Sequence, residues 1–459
     1  MHDMTRRDFL AAAGATFAAR ARLRDVVARG VRQRPVPSPA QLMWQQDELA
    51  LFIHFGVNTF TDREWGDGTE DPAIFDPRRL DARQWARSAR AAGFRAMVLT
   101  AKHHDGFCLW PSRTTTHSVA SSPFRGGSGD VVREFVDACR AEGLRAGLYC
   151  SPWDRHEPSY GDSPRYNDLY CDQLTELLTN YGAIHEVWFD GANGEGPNGR
   201  RQEYDWPRVW ALVRRLQPDA VMFSDAGPDV RWIGNERGIA GDPNWSTVDP
   251  AIVTVPGLSG PEVMRQLRNG DPEGTVWRPG ETDVSIRPGW FYHAAEDSRV
   301  RSVDNLVELF FTSVGRNSKL LLNVPPTPEG LLHETDVERL LGMRRRLDAL
   351  FAEDLAAGES PVWQRTGDSS AVAELDLGRT VTAGMSDLRE DIARGQAVSS
   401  WALEGSDGGA WRTLVRGTTI GYRKLDRFEP AAVRRVRLTI QDAVAAPQPV
   451  RLGLFEHTA

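Results

Sequence analysis

Short, wholly apolar runs alternate along this chain with longer stretches whose apolar residues recur every three to four positions, the pattern of buried strands alternating with amphipathic helices. Leu51-Phe52-Ile53-His54-Phe55-Gly56 reads as a first strand, and Asp81 to Ala92 as a helix capped by its leading aspartate. Ala96 to Thr100, Arg145 to Cys150 and His185 to Asp190 are further strands, separated by helices at Asp130 to Glu142 and Pro164 to Tyr181. Trp206 to Gln217 and Ala220 to Ser224 supply another helix and strand. The middle, Asp225 to Gly289, is rich in Gly, Pro and Asp and predicts only short strands. Regularity returns with a helix at Ser302 to Val314, a strand at Leu320 to Val324 and a long helix at Thr335 to Ala356. This series predicts an α/β fold, a (β/α)8-type barrel irregular in its later units.

From Val362 the period changes. Ala371 to Leu375, Val398 to Leu403, Trp411 to Val415, Val433 to Ile440 and Val450 to Phe455 are β-rich runs between turns, predicting a C-terminal antiparallel β-sandwich. The expected division is a leader at 1–30, a barrel at 31–357 and the sandwich at 358–459.

Composition narrows the function. The 459 residues carry a net charge of −8 with both signs interspersed, so no basic stripe points to a nucleic-acid partner. No run approaches the ~20 apolar residues of a membrane span. Met4-Thr5-Arg6-Arg7-Asp8-Phe9-Leu10, followed by an Ala-rich apolar run, resembles a bacterial twin-arginine export signal, and the expectation is a periplasmic or secreted protein. A basic amphipathic helix is the alternative for that stretch. The four cysteines fit no zinc spacing and read as buried thiols.

Polar and aromatic residues gather just after the predicted strands. His54 leaves the first, with Glu64 and Trp65 in the loop beyond; His103 and His104 follow the second; Tyr149 ends the third. Trp188 and Asp190 end the fourth, Arg231 and Glu236 follow the fifth, and Trp290 sits in an aromatic run. Residues scattered along a barrel sequence in this way converge at the C-terminal face of its strands. Hydroxyl-binding side chains between aromatic walls suit a sugar. Two carboxylates then suggest glycoside hydrolysis, with Asp190 on its rigid strand end as nucleophile and Glu236 as acid/base. Glu64 is a rival acid and more readily a hydroxyl ligand; Arg231 could hold the nucleophile charged or bind a ring hydroxyl. A metal hydrolase using His54, His103 and His104 is disfavoured, because adjacent strand residues point oppositely and no metal-binding spacing is present. No metal and no cofactor is expected.

Ile53-His54-Phe55-Gly56, Lys102-His103-His104-Asp105-Gly106-Phe107, Trp188-Phe189-Asp190-Gly191 and Asn317-Ser318-Lys319-Leu320-Leu321-Leu322-Asn323-Val324 closely resemble the α-L-fucosidases of glycoside hydrolase family 29. The resemblance covers Met43 to Leu332 and keeps the family's motif order. It implies a retaining hydrolase acting on a fucosylated oligosaccharide or glycoconjugate through an ester on Asp190. It implies, too, a fucose pocket lined by His54, His103, His104, Tyr149, Trp188 and Arg231, with Trp65 and Trp290 packed on the sugar. Gly234-Asn235-Glu236 resembles the acid/base motif of the branch cleaving α-1,3 and α-1,4 linkages, from which Arg237 departs. The other readings are a fucosidase of broader linkage range and a non-catalytic glycan binder on the same scaffold.

Overall fold

A computed structural model of the chain describes residues 34–456. The predicted export leader lies outside the described residues. Eight strands form one parallel sheet: β1 (Leu49–Ile53), β2 (Ala96–Lys102), β3 (Arg145–Cys150), β4 (Glu186–Trp188), β5 (Val221–Phe223), β6 (Arg231–Trp232), β7 (Gly280–Ser285) and β8 (Ser318–Asn323). Their spatial order runs β5-β4-β3-β2-β1-β8-β7-β6, and a parallel bridge between Phe223 and Val230 closes the ring. Helices Ala82–Ala91, Val131–Ala141, Ser163–Asn180, Trp206–Leu216, Val303–Thr312 and Glu334–Leu350 cover the outside. Asp81 caps its helix as expected, accepting from the amide of Gln84, and Asp130 caps the next in the same way, accepting from the amide of Arg133.

Alternation along the strands sorts two cores. Phe52, Val98, Tyr149, Trp188, Phe223 and Leu321 fill the barrel interior, while Leu51, Leu99, Leu148 and Leu322 pack outward against the helices. At the N-terminal end of the barrel the interior turns ionic. Lys319 Nζ stands 2.9 Å from Glu186 and 3.6 Å from Glu281, and 4.5 Å over the Trp44 ring. With two carboxyls facing one ammonium, burial and the charge of Glu186 hold Glu281 well above the usual carboxylate range.

The middle of the chain departs from expectation. β7 is a six-residue barrel strand inside a stretch read as irregular. The same stretch adds a two-stranded antiparallel pair, Thr247–Val248 with Val276–Trp277, and between them a helix, Pro261–Asn269. No helix separates β5 from β6. The long helix expected to reach Ala356 ends at Leu350, because the amide of Leu355 is taken by the carbonyl of Leu454 and Asp354 accepts from the amides of Ala356 and Leu454.

The C-terminal strands β9 (Val362–Arg365), β10 (Ala371–Arg389), β11 (Val398–Ser406), β12 (Arg412–Gly417), β13 (Lys424–Ala443) and β14 (Arg451–Phe455) form a six-stranded antiparallel sheet. β10 and β13 are far longer than the runs read from sequence; register shifts between Asp376 and Val381 and between Ala383 and Met385 bend them over a separate core around Trp401, Leu403 and Leu438. All four cysteines are buried and free.

Candidate active site

The short strand β4 fixes three consecutive side chains by parity. Trp188 points into the barrel, its ring 4.0 Å from Phe223 and nearly parallel, and its indole N–H donates to Glu281 Oε1 at 3.0 Å. Phe189 points outward onto Trp206. Asp190 therefore rises from the C-terminal rim. One carboxylate oxygen, Oδ1, accepts from the Ala192 amide at 2.7 Å, and the other, Oδ2, accepts from the Tyr149 hydroxyl at 3.1 Å. Both oxygens are thus aimed before any ligand arrives. Burial and the charge of Asp190 push the Tyr149 phenol well above its ordinary value, so it stays a donor at any working pH.

Three histidines face the same space. His54 Nδ1 lies 2.8 Å from Asn323 Oδ1. The Asn323 amide nitrogen donates to Ser285 Oγ and to the Trp290 carbonyl, so its Oδ1 must accept and His54 must carry its proton on Nδ1. His104 is set the same way: Ser151 Oγ donates to the Trp153 carbonyl and accepts from His104 Nδ1 at 2.7 Å. In both rings Nε2 is left with a lone pair, and that of His104 stands 3.9 Å from Asp190 Oδ2. Burial lowers the pKa of all three imidazoles, that of His54 to about 3, so they are neutral hydrogen-bonding groups rather than cations. His103 keeps a buried Nδ1 with no protein partner.

The two adjacent histidines do not point oppositely as the strand argument expected. Their ring centres are 4.1 Å apart, because β2 ends at Lys102 and the pair sits in the turn beyond it. Among the described residues no group of three His, Cys, Asp or Glu is arranged to hold a metal ion.

Aromatic walls complete the pocket. Trp290 lies 5.1 Å from His54, and Trp65, 57% exposed, stands edge-on 6.0 Å from both His104 and Trp153 at the mouth. Trp188 is 6% exposed and forms the floor more than a wall. Glu64 is engaged by the protein: it accepts from the amides of Trp290 and Phe291 and lies 3.1 Å from His293 Nε2, so its carboxylate holds the Trp290 turn in place. Glu236 is exposed at the end of the Gly234-Asn235-Glu236 loop. The protein around its carboxyl and the negative charge of Asp190 raise its pKa.

Arg231 is a correction. It is 1% exposed and turned away from the pocket. Its guanidinium donates to the carbonyls of Leu267, Arg278 and Trp245 and to Asn244 Oδ1. It can neither hold Asp190 charged nor touch a ring hydroxyl. Trp232, its neighbour, points inward and donates to Asp283 Oδ1 at 2.8 Å. Asp283 and Asp225 were not anticipated. Burial lifts both, Asp283 well above the usual carboxylate range with help from the charges of Glu236 and Asp190, and Asp225 to about 6 with help from Asp190. Asp225 directly follows a strand, the signal that singled out Asp190. Asp283 was hidden inside the unrecognised β7.

A parallel barrel with a rigid carboxylate at a strand end, a raised carboxyl on a neighbouring loop, neutral imidazoles and aromatic walls defines a glycoside hydrolase. The α-L-fucosidase family model matches residues 69–349. A putative α-L-fucosidase 1 of Oryza sativa subsp. japonica is 46% identical over 448 residues, 92% of this chain and 85% of the rice protein. α-L-Fucosidase 1 of Arabidopsis thaliana is 42% identical, over 92% of this chain and 87% of its own. A glycoside hydrolase family 29 member from an unknown rumen bacterium superposes with a TM-score of 0.85 at 41% identity, over 93% of this chain and 78% of that one. A Ruminococcus gnavus family 29 fucosidase in complex with fucose gives a TM-score of 0.82 at 32% identity, over 92% and 95%. The chain belongs to the α-L-fucosidases of glycoside hydrolase family 29.

Proposed function

We propose that the chain is a retaining exo-α-L-fucosidase in which Asp190 attacks the anomeric carbon and Glu236 protonates the leaving oxygen, then deprotonates the incoming water. The observation that carries this reading is the setting of Asp190, held at both oxygens by Tyr149 and the Ala192 amide at the end of a barrel strand. Holding the carboxylate in one orientation leaves little to reorganise when the ester forms. His54 and His104, each with a free Nε2 lone pair, accept from sugar hydroxyls, and Trp290 and Trp65 cover the sugar's apolar faces. The fucose bound to the Ruminococcus gnavus relative supports the same ligand class here.

The test is Asp190→Ala, expected to remove turnover of an aryl α-L-fucoside and to recover part of it with external azide, giving the inverted fucosyl azide. A folded Asp190→Ala enzyme with unchanged turnover would refute the assignment, and loss of turnover in the wild type itself would favour a glycan binder. The Gly234-Asn235-Glu236 motif supports cleavage of α-1,3 and α-1,4 linkages. On a panel of α-1,2, α-1,3, α-1,4 and α-1,6 fucosyl oligosaccharides, faster release from α-1,2 or α-1,6 would overturn that preference. Arg6-Arg7 supports export, and a reporter fused to residues 1–30 should lose translocation when both become Lys.

A further inference from the structure

One segment of the chain touches both catalytic loops. Gly257 adopts a left-handed conformation, φ 80°, and its amide donates to Asp225 Oδ2 at 2.9 Å. It approaches Gly191, the residue after Asp190, so closely that a Cβ on Gly257 would lie 2.6 Å from the Gly191 carbonyl oxygen. From the other side, a Cβ on Gly191 would meet Asp225 Oδ2 at 2.6 Å and the Gly257 nitrogen at 3.0 Å. Glycine is therefore required at 191 by this packing, and the space above it is shared with the 254–258 loop rather than left wholly to substrate.

Seven residues on, in the helix Pro261–Asn269, Met264 reaches the other catalytic loop. A Cβ on Gly234 would lie 3.1 Å from Met264 Cε and 3.4 Å from Leu267 Cβ. Gly234 stands two residues before Glu236. The segment is thus wedged between the loop of the candidate nucleophile and the loop of the candidate acid, and the buried Asp225 latches it there.

That segment also carries an unusual share of exposed aliphatic surface. Val255, Leu258 and Met264 are 40%, 37% and 36% exposed. Single exposed aliphatic residues need no explanation. Three within one short segment, fixed against both catalytic loops, do. The fucose pocket is already walled by His54, His103, His104, Tyr149 and Trp290. In a retaining hydrolase the acid stands on the leaving-group side of the scissile bond. A wall that supports the acid's own loop therefore faces the sugar from which fucose departs.

We propose that Val255, Leu258 and Met264 form the aliphatic wall of the leaving-group subsite, packing on the apolar C–H face of the sugar that carries the fucose, with Asp225 as the positioning residue that latches the wall to Gly191. This rests on the reading of Asp190 and Glu236 as the catalytic pair. Aliphatic contact of this kind discriminates modestly, about ten-fold for one well-packed group.

The experiment compares α-L-fucosyl fluoride, whose leaving group is a single atom, with α-1,3- or α-1,4-fucosyl-N-acetylglucosamine, whichever the wild type cleaves faster. In the double variant Leu258→Ser, Met264→Ser, kcat/KM for the disaccharide should fall about ten-fold more than for the fluoride, mostly through KM. Asp225→Ala should show the same split, and Asp225→Asn, which can still accept from the Gly257 amide, should restore the wild-type ratio. A disaccharide-to-fluoride ratio unchanged in the double variant, whether both rates fall or neither does, overturns the wall. Asp225→Ala with a wild-type ratio overturns the latch. Failure of the catalytic reading is separate: it would show as turnover surviving in Asp190→Ala, whatever the ratio.

Discussion

Removing Arg231 should cost stability and spare catalysis. Its Nε donates to the Leu267 carbonyl at 2.9 Å, and its Nη2 donates to Asn244 Oδ1 at 2.8 Å and the Trp245 carbonyl at 2.9 Å, while Nη1 serves the Arg278 carbonyl. Arg231→Met keeps most of the volume and leaves these four acceptors unserved in a site that is 1% exposed. At about 1 kcal/mol for each acceptor, the loss approaches ~4 kcal/mol. It is offset in part because burial and the neighbouring Arg278 already push the guanidinium pKa down, so a charge without a carboxylate partner is removed at the same time. The net expectation is a loss of about 3 kcal/mol in denaturant unfolding, with kcat/KM per folded molecule on an aryl fucoside within a factor of about three. If Arg231→Met does not fold, Arg231→Lys keeps the charge but loses the fork, and should show a smaller loss of the same kind. A variant of wild-type stability that has lost about 100-fold or more in kcat/KM would mean that Arg231 touches substrate, and the structural assignment would be wrong.

Other consequences are testable in the same assays. Because the surrounding protein and the charge of Asp190 raise Glu236, kcat/KM should fall on the alkaline side as that acid loses its proton. Glu236→Gln should abolish that limb for activated fucosides and slow disaccharides about 10²-fold or more, and an alkaline limb that survives would point to another acid. Asn323→Leu frees the His54 Nδ1 proton from its fixed acceptor, so KM for fucosides should rise about ten-fold while folding persists; an unchanged KM would mean that the tautomer does not matter. Asp225 is raised to about 6 from an ordinary 3.8. Its protonated form is favoured in the fold, so its contribution is fully present below pH 4 and is lost as pH rises through 6. Asp225→Asn should therefore be near neutral at pH 4 and stabilise by up to about 3 kcal/mol at pH 8; equal destabilisation at both values would refute this.

The barrel was legible wherever strand and helix periods were undisturbed. β1 to β5 and β8 are largely apolar runs because both of their faces are covered, and the helices Ala82–Ala91, Val131–Ala141 and Trp206–Leu216 begin at aspartate caps. β7 escaped because its inward positions, Glu281, Asp283 and Ser285, are all polar: one binds the Lys319 cluster, one accepts from Trp232, and one holds Asn323 and the Gly289 carbonyl. A strand whose inner face serves an ionic floor and a site no longer reads as a buried parallel strand, and its glycines and prolines on either side complete the disguise.

The site residues divide by the same parity. Around Asp190 the reading worked because Phe189 had to pack outward on a helix, which forces its neighbours Trp188 and Asp190 inward and upward. Around Arg231 the strand is only two residues long, Arg231–Trp232, and no apolar alternation in the sequence marks it. Arg231 and Trp232 are consecutive on a strand, so only one of them can face the barrel. The indole, able to bury its ring and still donate one hydrogen bond to Asp283, is the one that does so. The guanidinium is left for the outer layer, where the helix Pro261–Asn269 and the chain around Trp245 present carbonyls but no carboxylate. The charge that the sequence suggested for the nucleophile is thus replaced by neutral donors, the Tyr149 hydroxyl and the Ala192 amide. Those donors set the orientation of both Asp190 oxygens through hydrogen bonds, the feature on which the proposed attack by Asp190 rests.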